Sequence, residues 1–147
     1  MFKRILVGVD PTHEEEGPAA LKEALRLLNE GGEIIVLTVV AYPEEPPFFP
    51  VLREPDSRAP QEEAERALNV LIRKAVPRGL NVRPLVITGR AGPGLLEVAE
   101  ENGAELIVLV EHGHIWPLRR DTVQYVCVHT PVPVLVLPVP GKADSAS

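Results

Sequence analysis

Cysteine occurs once in the 147 residues. A single thiol, Cys127, excludes an internal disulfide framework and fits a reducing cytosol, leaving only pairing between chains. Methionine and tryptophan also occur once each, beside 16 prolines. Few oxidisable side chains and proline-rich loops resemble thermophile composition. Basic charge is short as well: 15 Lys and Arg against 21 Asp and Glu give a formal net charge of −6. General nucleic-acid binding, which needs clustered cations to neutralise phosphate, is excluded on that ground. No apolar run is long enough to span a bilayer. Lys3 and Arg4 precede an apolar stretch over residues 5–9, but Asp10 ends it too soon for a secretory leader, so a cytoplasmic protein without membrane contact is expected. Neither a Gly-x-Ser-x-Gly elbow nor a GxxxxGK[ST] loop is present, and no catalytic nucleophile is marked.

What is present is an alternation. Short continuous apolar runs at residues 5–9, 34–40, 82–88, 106–110 and 134–137 have the pattern of strands covered on both faces. Between them lie helical spacings. The first helix is expected from Pro18, whose missing N–H costs nothing at a helix start, through Leu21, Ala24, Leu25 and Leu28 to a stop at residues 29–32. A proline-rich segment, 41–60, reads as a long loop. The second helix, 61–75, carries Ala64, Ala67, Leu68, Leu71 and Ile72. The glycine-rich turn 89–94 opens a helix with Leu95, Leu96, Val98 and Ala99. Loop 111–120 precedes a short helix over 121–129, with Asp121 as its N-cap. The expectation is one α/β domain over 1–140: a doubly wound, open, parallel five-stranded sheet with helices on both faces, followed by a disordered tail, 141–147.

Four segments in order resemble the universal stress protein family: Lys3-Arg4-Ile5-Leu6-Val7-Gly8-Val9-Asp10, Ile35-Val36-Leu37-Thr38-Val39-Val40, Gly103-Ala104-Glu105-Leu106-Ile107-Val108-Leu109, and His129-Thr130-Pro131-Val132-Pro133-Val134-Leu135-Val136-Leu137. The resemblance implies strand order 3-2-1-4-5, with the chain reversing across the sheet between strands one and four. Ligands of open α/β sheets bind in the crevice above such a switch point. It also implies adenine nucleotide (ATP or AMP) as ligand, with Asp10 and Val39 at the adenosine end, and homodimers formed through the C-terminal strand.

The phosphate loop departs from the family pattern. Nucleotide-binding members carry a spaced series of three glycines followed by Ser or Thr, letting backbone N–H groups at a helix start approach phosphate. Val110 stands where the first glycine belongs, and Gly113 matches the second. Arg120 and Asp121 occupy the final Gly-Ser positions, and the loop between is shortened. Thr122 supplies a hydroxyl after a one-residue shift, while Asp121 brings negative charge toward the phosphates. The expectation is a retained adenosine pocket and a lost triphosphate cradle. Plainer readings stand beside it: Asp10 as a cap of the loop after the first strand, Gly113 as a turn residue, and Arg119 and Arg120 as solvated surface cations instead of phosphate contacts.

His13, Glu111, His112 and His114 fall in the two loops that border the crevice. Imidazole and carboxylate suit a divalent ion, though the spacing matches no recognised metal motif. The turn 89–94 is read as a strand-to-helix connection rather than an anion site, Cys127 as a buried small hydrophobe, Trp116 as a loop anchor or subunit contact, and Glu14-Glu15-Glu16 as a solvated helix start favourable to the dipole. Three functions follow: a stress-response or regulatory binding protein with weakened or absent ATP binding; an ATP- or AMP-binding protein with a rebuilt phosphate loop; and a metal-assisted phosphohydrolase at the histidine cluster.

Overall fold

The computed structural model describes residues 1–11, 15–40, 59–111 and 120–138, except the side chains of 120 and 121. The proline-rich stretch 41–58 and the tail 141–147 lie outside the described residues.

Strand β1 (Phe2–Gly8) sits at the centre of the sheet, and its residues from Ile5 to Gly8 are buried. β2 (Leu28–Val40) and β4 (Leu106–Val110) flank it, and β3 (Asn81–Thr88) and β5 (Val134–Leu137) form the edges. All four pairings are parallel, in the order β3-β2-β1-β4-β5. Alternate residues of each strand serve opposite layers, as the period of two requires. Ile5, Val7 and Val9 join Ile34, Val36, Leu106, Val108 and Val110 on one face. There Ala20, Leu21 and Ala24 of α1 (Glu16–Leu27) and Leu68 of α2 (Ala59–Ala75) cover them. Leu6, Ile35, Leu37, Ile107 and Leu109 form the other face, under Leu95, Val98 and Ala99 of α3 (Ala91–Glu101) and Val123 and Val126 of α4 (Arg120–His129). Each fully buried aliphatic chain contributes about 1.5–3 kcal/mol, so this two-sided burial holds the strands in place.

Several boundaries differ from the sequence reading. α1 begins at Glu16 rather than Pro18, but Pro18 still falls in the first turn, whose N–H groups have no partner within the helix. Residues 29–32 do not form a separate loop: Leu28 is already extended, and β2 runs from there. Phe2 pairs with Leu28 and Arg4 with Glu33, so the register shifts between them, and Gly31 takes the positive φ of 78° in this irregular stretch. α2 starts at Ala59, two residues early. α3 starts at Ala91, so Gly92, Pro93 and Gly94 are helical rather than part of the turn. Gly92 allows close packing: a Cβ there would lie 2.7 Å from Cδ1 and 3.1 Å from Cγ of Tyr125 on α4.

Two side chains are placed differently from expectation. Cys127 is exposed, not buried. α4 turns Thr122, Val123 and Val126 inward, and Cys127 lies about 100° round the helix from Val126, off that stripe. Glu16 is only 3 % exposed, so the acidic run is not solvated at its last member. Its spacing to Ala20 and Ala24 carries it onto the inward stripe of α1.

No helix of the described residues is long and apolar enough to cross a membrane.

Candidate functional site

The order of strands puts the switch point between β1 and β4: the chain leaves β1 toward α1 on one face and leaves β4 toward α4 on the other. Where neighbouring strands send their connections to opposite faces, a crevice opens above their carboxyl ends.

The register specifies what lines that end. Gly8 pairs with Leu37, and Val9 N–H continues the ladder by donating to Leu37 O at 2.9 Å. Two further steps bring Asp10 opposite Val39. On the other side Val7 and Val108 are the last pair between β1 and β4, and Glu111 follows the end of β4. Glu111 N–H donates to Leu137 O at 2.9 Å, which holds the last turn of the chain at the end of β4 in strand register. Val39 and Asp10 thus stand at adjacent strand ends, and Glu111 follows the end of β4 on the other side of β1.

The pleat then decides which way these residues face. Leu6, Leu37 and Leu109 belong to the layer under α3 and α4. Asp10, Val39 and Glu111 each stand an even number of residues further on, so they continue that same face. α4 begins there at Arg120, and Thr122 in its first turn is buried at 7 % exposure. Asp10 at 3 % and Val39 at 5 % are buried, and Glu111 is half-buried. Asp10, Glu111 and Thr122 each take part in a further interaction. A burial this deep for Asp10 is tolerated only because a buried carboxylate has such partners.

Among the sequence-predicted site residues, Asp10, Val39 and Thr122 are all buried, Asp10 and Val39 at the ends of adjacent strands and Thr122 in the first turn of α4. Gly113 lies outside the described residues. So do His13, His112, His114, Trp116 and Arg119; of the candidate metal ligands only Glu111 is described. Among the described residues, no group of three or more His, Cys, Asp or Glu is placed to hold a metal ion. Val110, the residue at the first glycine position, is 1 % exposed and packs in the opposite layer, against α1 and α2.

The turn that follows α4 holds it against the sheet. Thr130 Oγ1 donates to Val132 O at 2.7 Å and accepts from Val132 N–H at 3.1 Å, while Thr130 N–H donates to Val126 O at 2.9 Å. This Ser/Thr-type turn sends the chain directly into β5.

The model of the Universal stress protein family matches residues 1–138. Universal stress protein UspA from Lactobacillus plantarum is similar in structure, with 25 % identity, TM-score 0.66, and coverage of 92 % of this chain and 97 % of that one. A universal stress protein from Archaeoglobus fulgidus in complex with dAMP aligns at 18 % identity and TM-score 0.61, covering 90 % of this chain and 95 % of that one. Another, in complex with cAMP, aligns at 19 % and TM-score 0.63, covering 93 % and 97 %. No curated protein sequence matches the chain. With the strand order, the crevice and the match over nearly its whole length in agreement, the chain belongs to the universal stress protein family.

Proposed function

We propose that this protein is a regulatory, stress-response binding protein whose crevice takes the adenosine end of an adenine nucleotide, with binding of the triphosphate weakened. The observation that carries the reading is the row of Val39 and Asp10 on the face where α4 begins: an apolar wall beside a buried acceptor, at the switch point. Two structural neighbours hold adenine nucleotides with a single phosphate, dAMP and cAMP, which favours a ligand of that kind. Calorimetric titration with ATP, AMP and adenosine tests the proposal. Binding of adenosine or AMP in the micromolar range is expected, and submicromolar affinity for ATP would refute the weakened triphosphate. Asp10→Ala should lower affinity for every adenine ligand by about 10-fold or more, the worth of a hydrogen bond to a charged group.

A second reading keeps full nucleotide binding with Arg120 in place of the missing glycine. The start of α4 at Arg120, at the head of a helix whose N–H groups attract anions, favours it. Under that reading Arg120→Ala weakens ATP more than adenosine; equal effects would count against it.

Assembly as a homodimer through β5 belongs to the same proposal. The backbone carbonyls of Pro133 and Leu137 accept from β4, so by alternation the N–H groups of Val134 and Val136 point outward. At the opposite edge, Gly89 N–H donates to Val40 of β2. Pro84 is then among the outward positions of β3 and has no N–H to offer. The open edge is the apolar one.

A further inference from the structure

We propose that the last turns of α2 and the turn into β3 form a docking surface for an acidic segment of another protein, one that carries apolar side chains between its carboxylates. The surface lies at the end of the molecule away from the crevice and is independent of what fills it. α2 runs antiparallel to the strands. Gln61, near its start, donates from Nε2 to Thr88 Oγ1 at the end of β3, and its last residue, Ala75, leads through residues 76–80 to Asn81 at the start of β3. Strand β3, 8 residues long, separates the two ends by about 23 Å.

From Arg66 to Asn81 the chain carries Arg66, Arg73, Lys74 and Arg78 and no Asp or Glu, although its net charge is −6. All four cations are exposed. Among the described residues none of the four makes an ion pair or a side-chain hydrogen bond, whereas Arg26 is paired with Glu23 and Arg83 with Glu33. Two large aliphatic chains are uncovered among them, Val70 at 46 % and Leu80 at 47 % exposure. With successive residues about 100° apart round the helix, Arg66, Val70, Arg73 and Lys74 share one arc, on the side opposite the buried Leu68. Cations in a last turn are favoured by the helix dipole, which accounts for Arg73 and Lys74. That effect fades within the last turn. It does not account for Arg66 in the middle of α2, for Arg78 beyond its end, or for the two uncovered aliphatic chains.

Cations without partners beside uncovered aliphatic chains match a partner that is anionic and partly apolar. The shape and composition of the patch select among such partners. A nucleic acid finds charge here, but no aromatic ring between residues 66 and 81 on which a base can stack. An anionic bilayer is a broad plane. Along α2 it would also meet Glu62, Glu63 and Glu65, all exposed, on a chain of net negative charge. A narrow segment lies on the basic band alone. The helix rises about 12 Å from Arg66 to Lys74, the length of about four extended residues. Carboxylates spaced along such a segment reach the guanidinium groups, which bind them in two-pronged fashion, while an apolar side chain between them covers Val70. A contact of this size belongs to the weak, transient class of protein interfaces, and its charge gives it speed and selectivity more than strength.

The test is fluorescence anisotropy of a labelled peptide of repeated Glu-Glu-Leu, titrated with the full chain at low salt. Three further probes run beside it: the same peptide with Ser in place of Leu, a labelled DNA duplex, and vesicles of phosphatidylcholine and phosphatidylserine. The Glu-Glu-Leu peptide should bind most tightly of the four, and added salt should weaken it, because the attraction is screened. Arg73→Glu combined with Lys74→Glu should weaken the peptide by about 10-fold or more, two exposed ion pairs being turned into repulsions. Val70→Ser should weaken it by about 3-fold through lost apolar contact. Lys22→Glu, an equally exposed cation on α1, should change nothing. Circular dichroism verifies folding of each variant. Equal binding of the Leu and Ser peptides, or tighter binding of DNA or vesicles, overturns the assignment to a partly apolar acidic segment. Peptide binding that survives the double charge reversal, or that fails in the natural protein, overturns the surface itself. If the double variant does not fold, Val70→Ser and the salt series on the natural protein decide the matter.

Discussion

The position of α4 over the crevice depends on its contact with α3, and that contact can be tested by a reversal of sign. Gly92 is the second residue of α3, and a Cβ there would come within 2.7 Å of Cδ1 and 3.1 Å of Cγ of Tyr125. Replacing glycine by alanine in a helix ordinarily stabilises by up to about 1 kcal/mol. Forcing a methyl group into an occupied site costs about 1–3 kcal/mol. Gly92→Ala should therefore leave the protein destabilised by about 0–2 kcal/mol, the difference between these two terms. Tyr125 is 39 % exposed and stacks at a tilt on His129, with ring centroids 4.4 Å apart. The close approach reaches Cγ, near the root of the side chain, so a small swing of the ring tip does not relieve it. In a Tyr125→Ala background the obstruction is gone, and the same Gly92→Ala change should stabilise by up to about 1 kcal/mol. Urea unfolding of the four proteins in the cycle gives the coupling, expected at about 1–3 kcal/mol. Equal effects of Gly92→Ala in the two backgrounds, or clear stabilisation in the natural one, would refute the packing argument and with it the reason given for glycine at this position.

Other outcomes follow from the same geometry. Leu109→Ala, in the fully buried layer under α3 and α4, should cost about 2–5 kcal/mol in urea unfolding, whereas Val128→Ala, at 76 % exposure, should stay within about 0.5 kcal/mol. Cys127 should react with a thiol reagent in the native state, at a rate close to that in denaturant; protection of the thiol would show that α4 is turned differently or covered by a partner. Val136→Pro removes an outward N–H from β5 and leaves the bonds to β4 intact, so light scattering should register the mass of a monomer where the natural protein gives that of a dimer. A natural protein that is monomeric at micromolar concentration would refute the assembly.

The layers were legible in the sequence because each strand is a continuous apolar run and each helix has its own stripe; two-sided burial leaves little else for such residues to do. The strand order was not contained in those patterns and came from the resemblance, since every strand is nearly equally apolar and pairing preferences do not separate them. Boundaries failed where local signals competed. Residues 29–32 look like a helix stop, and they are one, but the chain there is recruited at once by Phe2 into β2. Glycine and proline at 92–94 look like a turn, yet a first helical turn accepts proline, and α4 requires the missing Cβ. At the site, Asp10 and Val39 were expected from the resemblance. The facing of Glu111 was readable from parity alone, whereas the outward position of Cys127 needed the phase of α4, which a ten-residue helix with apolar residues on several sides does not reveal.

The two borders of the sheet are unequal, and the inequality sets an upper limit on growth. A border that offers donors can be lengthened by another chain; one interrupted by Pro84 resists it. Joining two copies across β5 uses the receptive border of both and leaves the β3 borders outermost. Such an arrangement closes on itself under two-fold symmetry and has no free end from which to polymerise. In the proposed dimer an apolar strand at the margin would be covered without inviting fibres, because pairing would terminate the series at its first step.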